Sequence, residues 1–284
     1  MGKNKRAIKE YWSMTEGVFN CLIDEERTLA FKKAIKNTIK KGDVVVDVGT
    51  GSGILAMFAA KAGAKKVYAI EFDKKNIRTL KENFKINNLE DRIILLEGDA
   101  RKIKLPEKVD VIIGELIATG LIEEQQIPAM NNLLNYAKDK TKVVLNSYET
   151  YIDLVNNKGD YYGFKMFNVR YEYTGIPGIE SISFTDKASI SKIDFFKNNK
   201  NVKVNKKIIL KSHKKGKINA LRISGKTFFY DGSIFNHSFA YSYPIILPMQ
   251  EIRVEKNDEI IVEISYVPCG GFDSLKYKVL KSKK

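Results

Sequence analysis

Residues 44–71 constrain the fold of this 284-residue chain more than any other stretch. VVVDVG (44–49) is a run of β-branched residues broken by a single acid. A strand buried on both faces of a parallel sheet reads this way. Glycines follow at 49, 51 and 53. ILAMFAAKAGA (54–64) then has helical character, with Gly63 at its stop position. KVYAIE (66–71) is a second strand that ends on a glutamate.

The alternation continues. Ile77, Leu80 and Phe84 recur at helical spacing, RIILLEGD (92–99) and VDVIIGE (109–115) are strands, and IPAMNNLLNYA (127–137) is a helix with Pro128 near its start. KVVLN (142–146) is a fifth strand, and DEERTLAFKKAIKNT (24–38) is a helix able to cover the sheet. Repeated β-α-β units predict an α/β fold, a doubly wound, mostly parallel sheet of Rossmann-like type over residues 1–146. From 147 to 284 the helical pattern stops. GFKMFNVRYEYTG, KKIILKS, NALRISGKTFFYDG, YPIILPMQEIRV, DEIIVEISY and LKYKVL are short strands between turn residues, which predicts a β-barrel or sandwich. TDKASISKIDFFKNNKN (185–201) fits neither pattern and reads as an insertion.

Cys21 and Cys269 are far apart in sequence, which argues against a disulfide framework, and two histidines make a metal site unexpected. No apolar run reaches transmembrane length, and the basic N-terminus has no signal-peptide pattern. These features predict a cytoplasmic protein without a membrane partner. The net charge is +15, of which residues 1–150 carry +5 and residues 151–284 carry +10. Such a balance suits nucleic-acid binding, and equally a lysine-rich proteome.

Ligands of open α/β sheets bind beyond the carboxyl ends of the strands, where Asp47, Gly49, Gly51, Gly53 and Glu71 all fall. A dinucleotide site would read G-x-G-x-x-G and rest a pyrophosphate on backbone N–H groups. Here the glycines read G-T-G-S-G, with Asp47 two residues ahead. An acid there suits a cationic amine without phosphate, as in S-adenosylmethionine. Glu71 can accept both ribose hydroxyls. The plainer alternative is a tight turn with Asp47 capping the helix. No P-loop lysine follows.

From LIDEERTLAF through DVGTGSGILAMFAAKAGAKKVYAIE, KLPEKVDVIIGE and KVVLNSYETY, the sequence resembles the protein arginine methyltransferases, class I S-adenosylmethionine-dependent enzymes. The resemblance implies a nucleotide-type domain joined to a β-barrel, a protein substrate with an exposed arginine, and a possible homodimer through an arm for which 185–201 is the candidate. It also implies a loop with two glutamates nine positions apart, matched by Glu115 and Glu124 in GELIATGLIEEQ, with Glu123 as the adjacent alternative. Two carboxylates can hold a guanidinium by paired charge-assisted hydrogen bonds and align its nitrogen for attack on a methyl group. By the same resemblance Arg27 binds the donor carboxylate, His237 supports the substrate pocket, and Asp99 can meet the adenine amino group. Leu116, Ile117, Ser238 and Arg101 depart from the family pattern, and the match around Tyr11 and Trp12 assigns no roles.

Methylation of RNA is the rival activity. The Asn/Asp-Pro-Pro-Tyr/Phe motif of base-amino methylation is replaced by GELI, and neither cysteine lies where C5 chemistry needs one. A non-catalytic binding module is the second rival, although it would need none of these acids.

Overall fold

The computed structural model describes residues 17–173, 179 and 181–282, so Tyr11, Trp12 and the end of the strand expected over 163–175 lie outside the described residues. Two helices lead in, α1 (Gly17–Ile23) and α2 (Glu25–Thr38). The first domain follows as β1 (Val44–Val48), α3 (Ile54–Lys61), β2 (Lys66–Glu71), α4 (Lys74–Ile86), β3 (Ile93–Glu97), β4 (Val109–Gly114), α5 (Gln126–Leu133) and β5 (Ala137–Val143). All neighbours pair in parallel, in the order β3-β2-β1-β4-β5. Every residue of β1 is buried, which is why its sequence is continuously apolar around Asp47. Order reverses between β1 and β4, so the loops leaving these strands diverge and open a crevice.

The chain passes to the second domain at Val144. Its strands are β6 (Leu145–Asn156), β7 (Asp160–Tyr161), β8 (Phe164–Lys165), β9 (Arg170–Tyr171), β10 (Ile182–Ser183), β11 (Ala188–Asp194), β12 (Val204–Lys211), β13 (Gly216–Phe229), β14 (Ile234–Phe235), β15 (Ile245–Val254), β16 (Glu259–Tyr266) and β17 (Lys276–Lys281). A larger antiparallel sheet runs β10-β6-β13-β15-β9, with β11 also on β6 and β14 on β13. A smaller one runs β12-β16-β17, and β7 with β8 forms a separate hairpin. Ile152, Leu154, Leu221, Ile223, Leu247 and Val262 are among the buried side chains that fill the space between the sheets.

The core of the first domain extends into the second, while the space between the antiparallel sheets is a core of its own. Phe31 of α2 is fully buried and packs edge-on against Phe229 and Tyr241 of the second domain, with ring centroids 5.0 and 6.0 Å away. Burying such a ring contributes about 2–3 kcal/mol, so α2 acts as a strut between the domains.

Three sequence expectations differ from the structure. The insertion expected at 185–201 contains β11, paired antiparallel with β6. A bulge between Ser189 and Ser191 breaks the alternation that would have marked it as a strand. The expected helix over 127–137 ends at Leu133, followed by a 3-10 turn, and β5 begins at Ala137 rather than Lys142. That strand lies at the sheet edge, where the polar run KDKT is tolerated.

Candidate active site

A cleft of about 840 Å³ opens over the carboxyl ends of β1, β2 and β4 and reaches the second domain. Its floor is the glycine turn. Gly49, Gly51 and Gly53 have φ of 63°, 55° and 82°, so all three need left-handed backbone. Their surroundings differ. A Cβ at Gly49 would meet Leu116 at 2.5 Å, so this glycine lets the loop after β4 pack down on the turn. Gly51 lines the cleft, and a Cβ there would make only ordinary contact, with Val18 of α1 at 3.6 Å. Gly53 is not among the lining residues. A Cβ there would meet Phe84 at 2.6 Å, so it serves the packing of α3 on α4.

Asp47 lies one layer behind the lining and is fully buried. Its Oδ2 accepts the Thr50 hydroxyl at 2.6 Å, and its Oδ1 has no hydrogen-bond partner among the described residues. Burial raises its carboxyl to about 7. Glu71 sits at the tip of β2. Its Oε2 accepts the Gly51 amide at 3.1 Å and its Oε1 the Asp73 amide at 2.8 Å, which fixes the carboxylate at the cleft wall. Asn76, which sequence reasoning passed over, donates to the Gly51 carbonyl and braces the turn from α4. Asp99 also lines the cleft. Arg101 engages both its oxygens, at 2.9 and 3.0 Å from Nε, and this contact holds the carboxyl below its usual range.

The acceptor side is built by the loop after β4. Gln126, buried in α5, accepts the Leu116 amide and donates to the Gly114 carbonyl, which pins the start of the loop. Glu115 and Glu124 both line the cleft. Glu123 does not. It is exposed, and its Oε2 accepts the Tyr171 hydroxyl at 3.0 Å. Glu124 accepts no hydrogen bond from the described residues. Burial, then repulsion from Glu115 and Glu123, raises its carboxyl to about 8, against which Arg27 pulls downward.

Arg27 meets Glu115 directly. Its Nε donates to Glu115 Oε2 at 3.1 Å, a second guanidinium nitrogen donates to the same oxygen, and a third donates to the Cys21 carbonyl. The guanidinium stands over the Phe31 ring at 5.3 Å. Thus the arginine expected on the donor and the glutamate expected on the acceptor form one buried ion pair. Asp24 positions that arginine. It caps α2 through the Arg27 amide, and its Oδ2 accepts the Ser238 hydroxyl and the Ala240 amide, both at 2.6 Å. An acid at the start of DEERT is a readable N-cap. The tie to the second domain, more than 200 residues away, has no local sequence signal.

His237 is not among the lining residues. It is half-buried near Lys187, Glu172 and Arg222, and burial lowers its imidazole from the ordinary value. The neighbouring Ser238 carries the contact to Asp24 instead. Tyr171, Tyr173 and Tyr243 line the acceptor end as a ring cluster with centroids 4.9 to 6.3 Å apart. They come from two separate segments, so no spacing rule singles them out.

Among the described residues, no group of three or more His, Cys, Asp or Glu side chains could hold a metal, and no helix is long and apolar enough to cross a membrane. The donor side fits an adenosyl ligand bearing an ammonium. It offers a left-handed turn as its floor, a fixed carboxylate at the end of β2, and a buried carboxylate oxygen with no hydrogen-bond partner among the described residues.

The profile of the ribosomal protein L11 methyltransferase family (PrmA) matches residues 28–144. An uncharacterized protein of Methanocaldococcus jannaschii is 33% identical over 260 residues, which covers 91% of this chain and 94% of that one. The probable protein arginine N-methyltransferase 6.1 of Oryza sativa subsp. indica is 39% identical over 127 residues, covering 44% of this chain and 32% of the relative. The chain therefore spans about a third of that relative's length. Among solved structures, the Trypanosoma brucei PRMT1 enzyme-prozyme heterotetrameric complex with AdoHcy superposes with a TM-score of 0.74 at 19% identity, covering 93% of this chain and 96% of that one. Arabidopsis thaliana protein arginine methyltransferase 10 gives the same score and identity, covering 93% and 95%. These two establish the fold: a Rossmann-like domain followed by a β-barrel. The chain shares a family with the M. jannaschii protein over nearly its whole length, and its first domain is that of the S-adenosylmethionine-dependent methyltransferases, similar to the protein arginine methyltransferases.

Proposed function

We propose that this chain transfers a methyl group from S-adenosylmethionine to a guanidinium nitrogen of an arginine exposed on a protein. The observation that carries the proposal is Glu124, an acid in the cleft with no hydrogen-bond partner among the described residues and a carboxyl raised to about 8. A carboxyl held in this way, beside Glu115, is a site for a cation. A neutral base on a phosphate backbone could donate N–H groups here but lacks the positive charge that two neighbouring carboxyls favour.

Gly49, Gly51 and Glu71 would hold the donor's adenosyl part, Arg27 its carboxylate and Asp47 its ammonium. Asp99 lies near the expected position of the adenine. When bound, S-adenosylmethionine supplies a sulfonium-bound methyl carbon open to displacement by a nitrogen lone pair. Glu115 and Glu124 orient the guanidinium and gather its charge away from the attacking nitrogen. Glu124, ionised when the guanidinium is seated, also takes the proton that this nitrogen sheds. His237 supports the pocket at most from behind the lining.

A second copy of the chain is the proposed assembly partner. Within the expected arm 185–201, Ala188–Asp194 are paired with β6. The β7–β8 hairpin is the better candidate, with Tyr162 99%, Phe164 71% and Phe167 61% exposed in and just after it. Light scattering should show a dimer that dissociates in a Phe164→Ser, Phe167→Ser variant.

The activity is tested with tritiated S-adenosylmethionine on matched cell extract, with ribonuclease or protease treatment before counting. Label that survives ribonuclease, is lost with protease and hydrolyses to methylated arginine supports the proposal. Label lost with ribonuclease assigns the acceptor to RNA and overturns it.

A further inference from the structure

Three loops meet behind the acceptor acids, and each contains strained backbone. Between Glu115 and Glu124 the chain reverses through Gly120 (φ 67°) and Leu121 (φ 55°). The second has a branched side chain in a region that favours glycine. Ser242 (φ 51°) and Cys269 (φ 62°) are left-handed as well. Such conformations persist only where surrounding contacts over-determine them.

Those contacts join the loops to one another. The Cys269 amide donates to the Leu121 carbonyl at 2.6 Å, and the Gly271 amide to the Ile122 carbonyl at 2.8 Å. The Thr119 hydroxyl donates to the Tyr243 carbonyl. At the centre is Tyr148 of β6, fully buried and absent from the cleft lining. Its hydroxyl accepts the Gly120 amide at 3.3 Å and lies 2.6 Å from Ser242 Oγ. One oxygen thus links the acid loop of the first domain to the 238–243 loop of the second. Space for it exists because Gly225 on β13 has no side chain: a Cβ there would overlap the hydroxyl.

We infer that Tyr148 is a positioning residue, whose hydroxyl sets the separation and aim of Glu115 and Glu124 from the barrel side. This rests on the proposed role of those acids. Tyr148 touches neither donor nor acceptor. It acts through Gly120, five residues from Glu115 and four from Glu124, and through Ser242, next to Tyr243 of the cleft wall. The barrel is then part of the catalytic geometry as well as a surface for substrate.

Tyr148→Phe keeps the ring and removes only the linking oxygen. Transfer of tritiated methyl into the protein fraction of the extract should fall by about 10- to 100-fold, the range for small misplacement of reacting groups. Affinity for S-adenosylhomocysteine, read by calorimetry, should stay within about twofold of wild type, since the donor turn is untouched. Hydrogen exchange should quicken in residues 115–125 and 238–243 together and stay unchanged in β1 and β2. Ser242→Ala, which leaves the Tyr148–Gly120 contact, should lose less activity, and its effect should be non-additive with Tyr148→Phe. Turnover within about threefold of wild type, or faster exchange along β6 and β13 without change in the two loops, would overturn the inference. If wild type labels no protein, the acceptor assignment fails, while the exchange pattern still decides whether the hydroxyl joins the loops.

Discussion

Glu124 gives the sharpest prediction. Its carboxyl is raised to about 8, first by burial and then by Glu115 and Glu123. A guanidinium stays charged throughout the working range. Seated between Glu115 and Glu124, it binds the ionised form of Glu124, so binding expels whatever proton Glu124 carries. At pH 7 a group titrating at about 8 is protonated about nine times in ten, so about 0.9 proton leaves per acceptor bound. The sign follows directly: acceptor affinity rises with pH and levels off above Glu124's own value. Between pH 6 and pH 8 the gain is about 50-fold, each unit being worth 1.36 kcal/mol on the steep part. The assay is calorimetric titration of an arginine-containing peptide into protein saturated with S-adenosylhomocysteine, which removes Asp47 from the comparison. At pH 7, the apparent enthalpy plotted against buffer ionisation enthalpy has the proton count as its slope. Glu124→Gln should abolish both the slope and the pH dependence. No proton exchange at pH 7 in wild type, or a slope that survives in Glu124→Gln, would refute the reasoning.

Three further outcomes follow from the geometry. Glu115→Gln should cut methyl transfer by more than about 100-fold. It should also lower stability by about 3 kcal/mol in urea unfolding, because the buried Arg27 charge loses its counter-ion. Asp47 and Glu124 hold their protons more tightly folded than unfolded, so donor-free stability should fall as pH rises from about 4 towards 8. Asp47→Asn should flatten that decline in a thermal-unfolding series while weakening S-adenosylhomocysteine binding. Gly53→Ala should cost about 3 kcal/mol through its left-handed backbone and the overlap with Phe84. Its donor affinity under native conditions should stay within a few fold, because Gly53 faces the helices rather than the cleft.

The parallel sheet was legible because strands buried on both faces are apolar throughout, and β1 is buried at every residue. Glu71 was legible for a related reason: it ends a readable strand, and the carboxyl ends of such strands are where ligands bind, whereas Glu115 came from the family resemblance. Strand β11 was hidden by its bulge, and β5 by the polar run an edge permits. The three glycines were visible as a turn, but their separate duties were not, because Leu116 and Phe84 meet them only in three dimensions. The same holds for Arg27. Its sequence neighbours identify a capped helix, whereas its pairing with Glu115 spans 88 residues and depends on how α2 lies across the sheet. His237 followed from resemblance alone, and the Asp24 contact nearby is made by Ser238.

A crystal soaked with S-adenosylhomocysteine and an arginine peptide tests the central claim most directly. The account predicts Glu71 on the ribose hydroxyls, Arg27 on the donor carboxylate, and the peptide guanidinium between Glu115 and Glu124 with a nitrogen facing the sulfur. A guanidinium bound elsewhere, or the sulfur directed away from both glutamates, would contradict it.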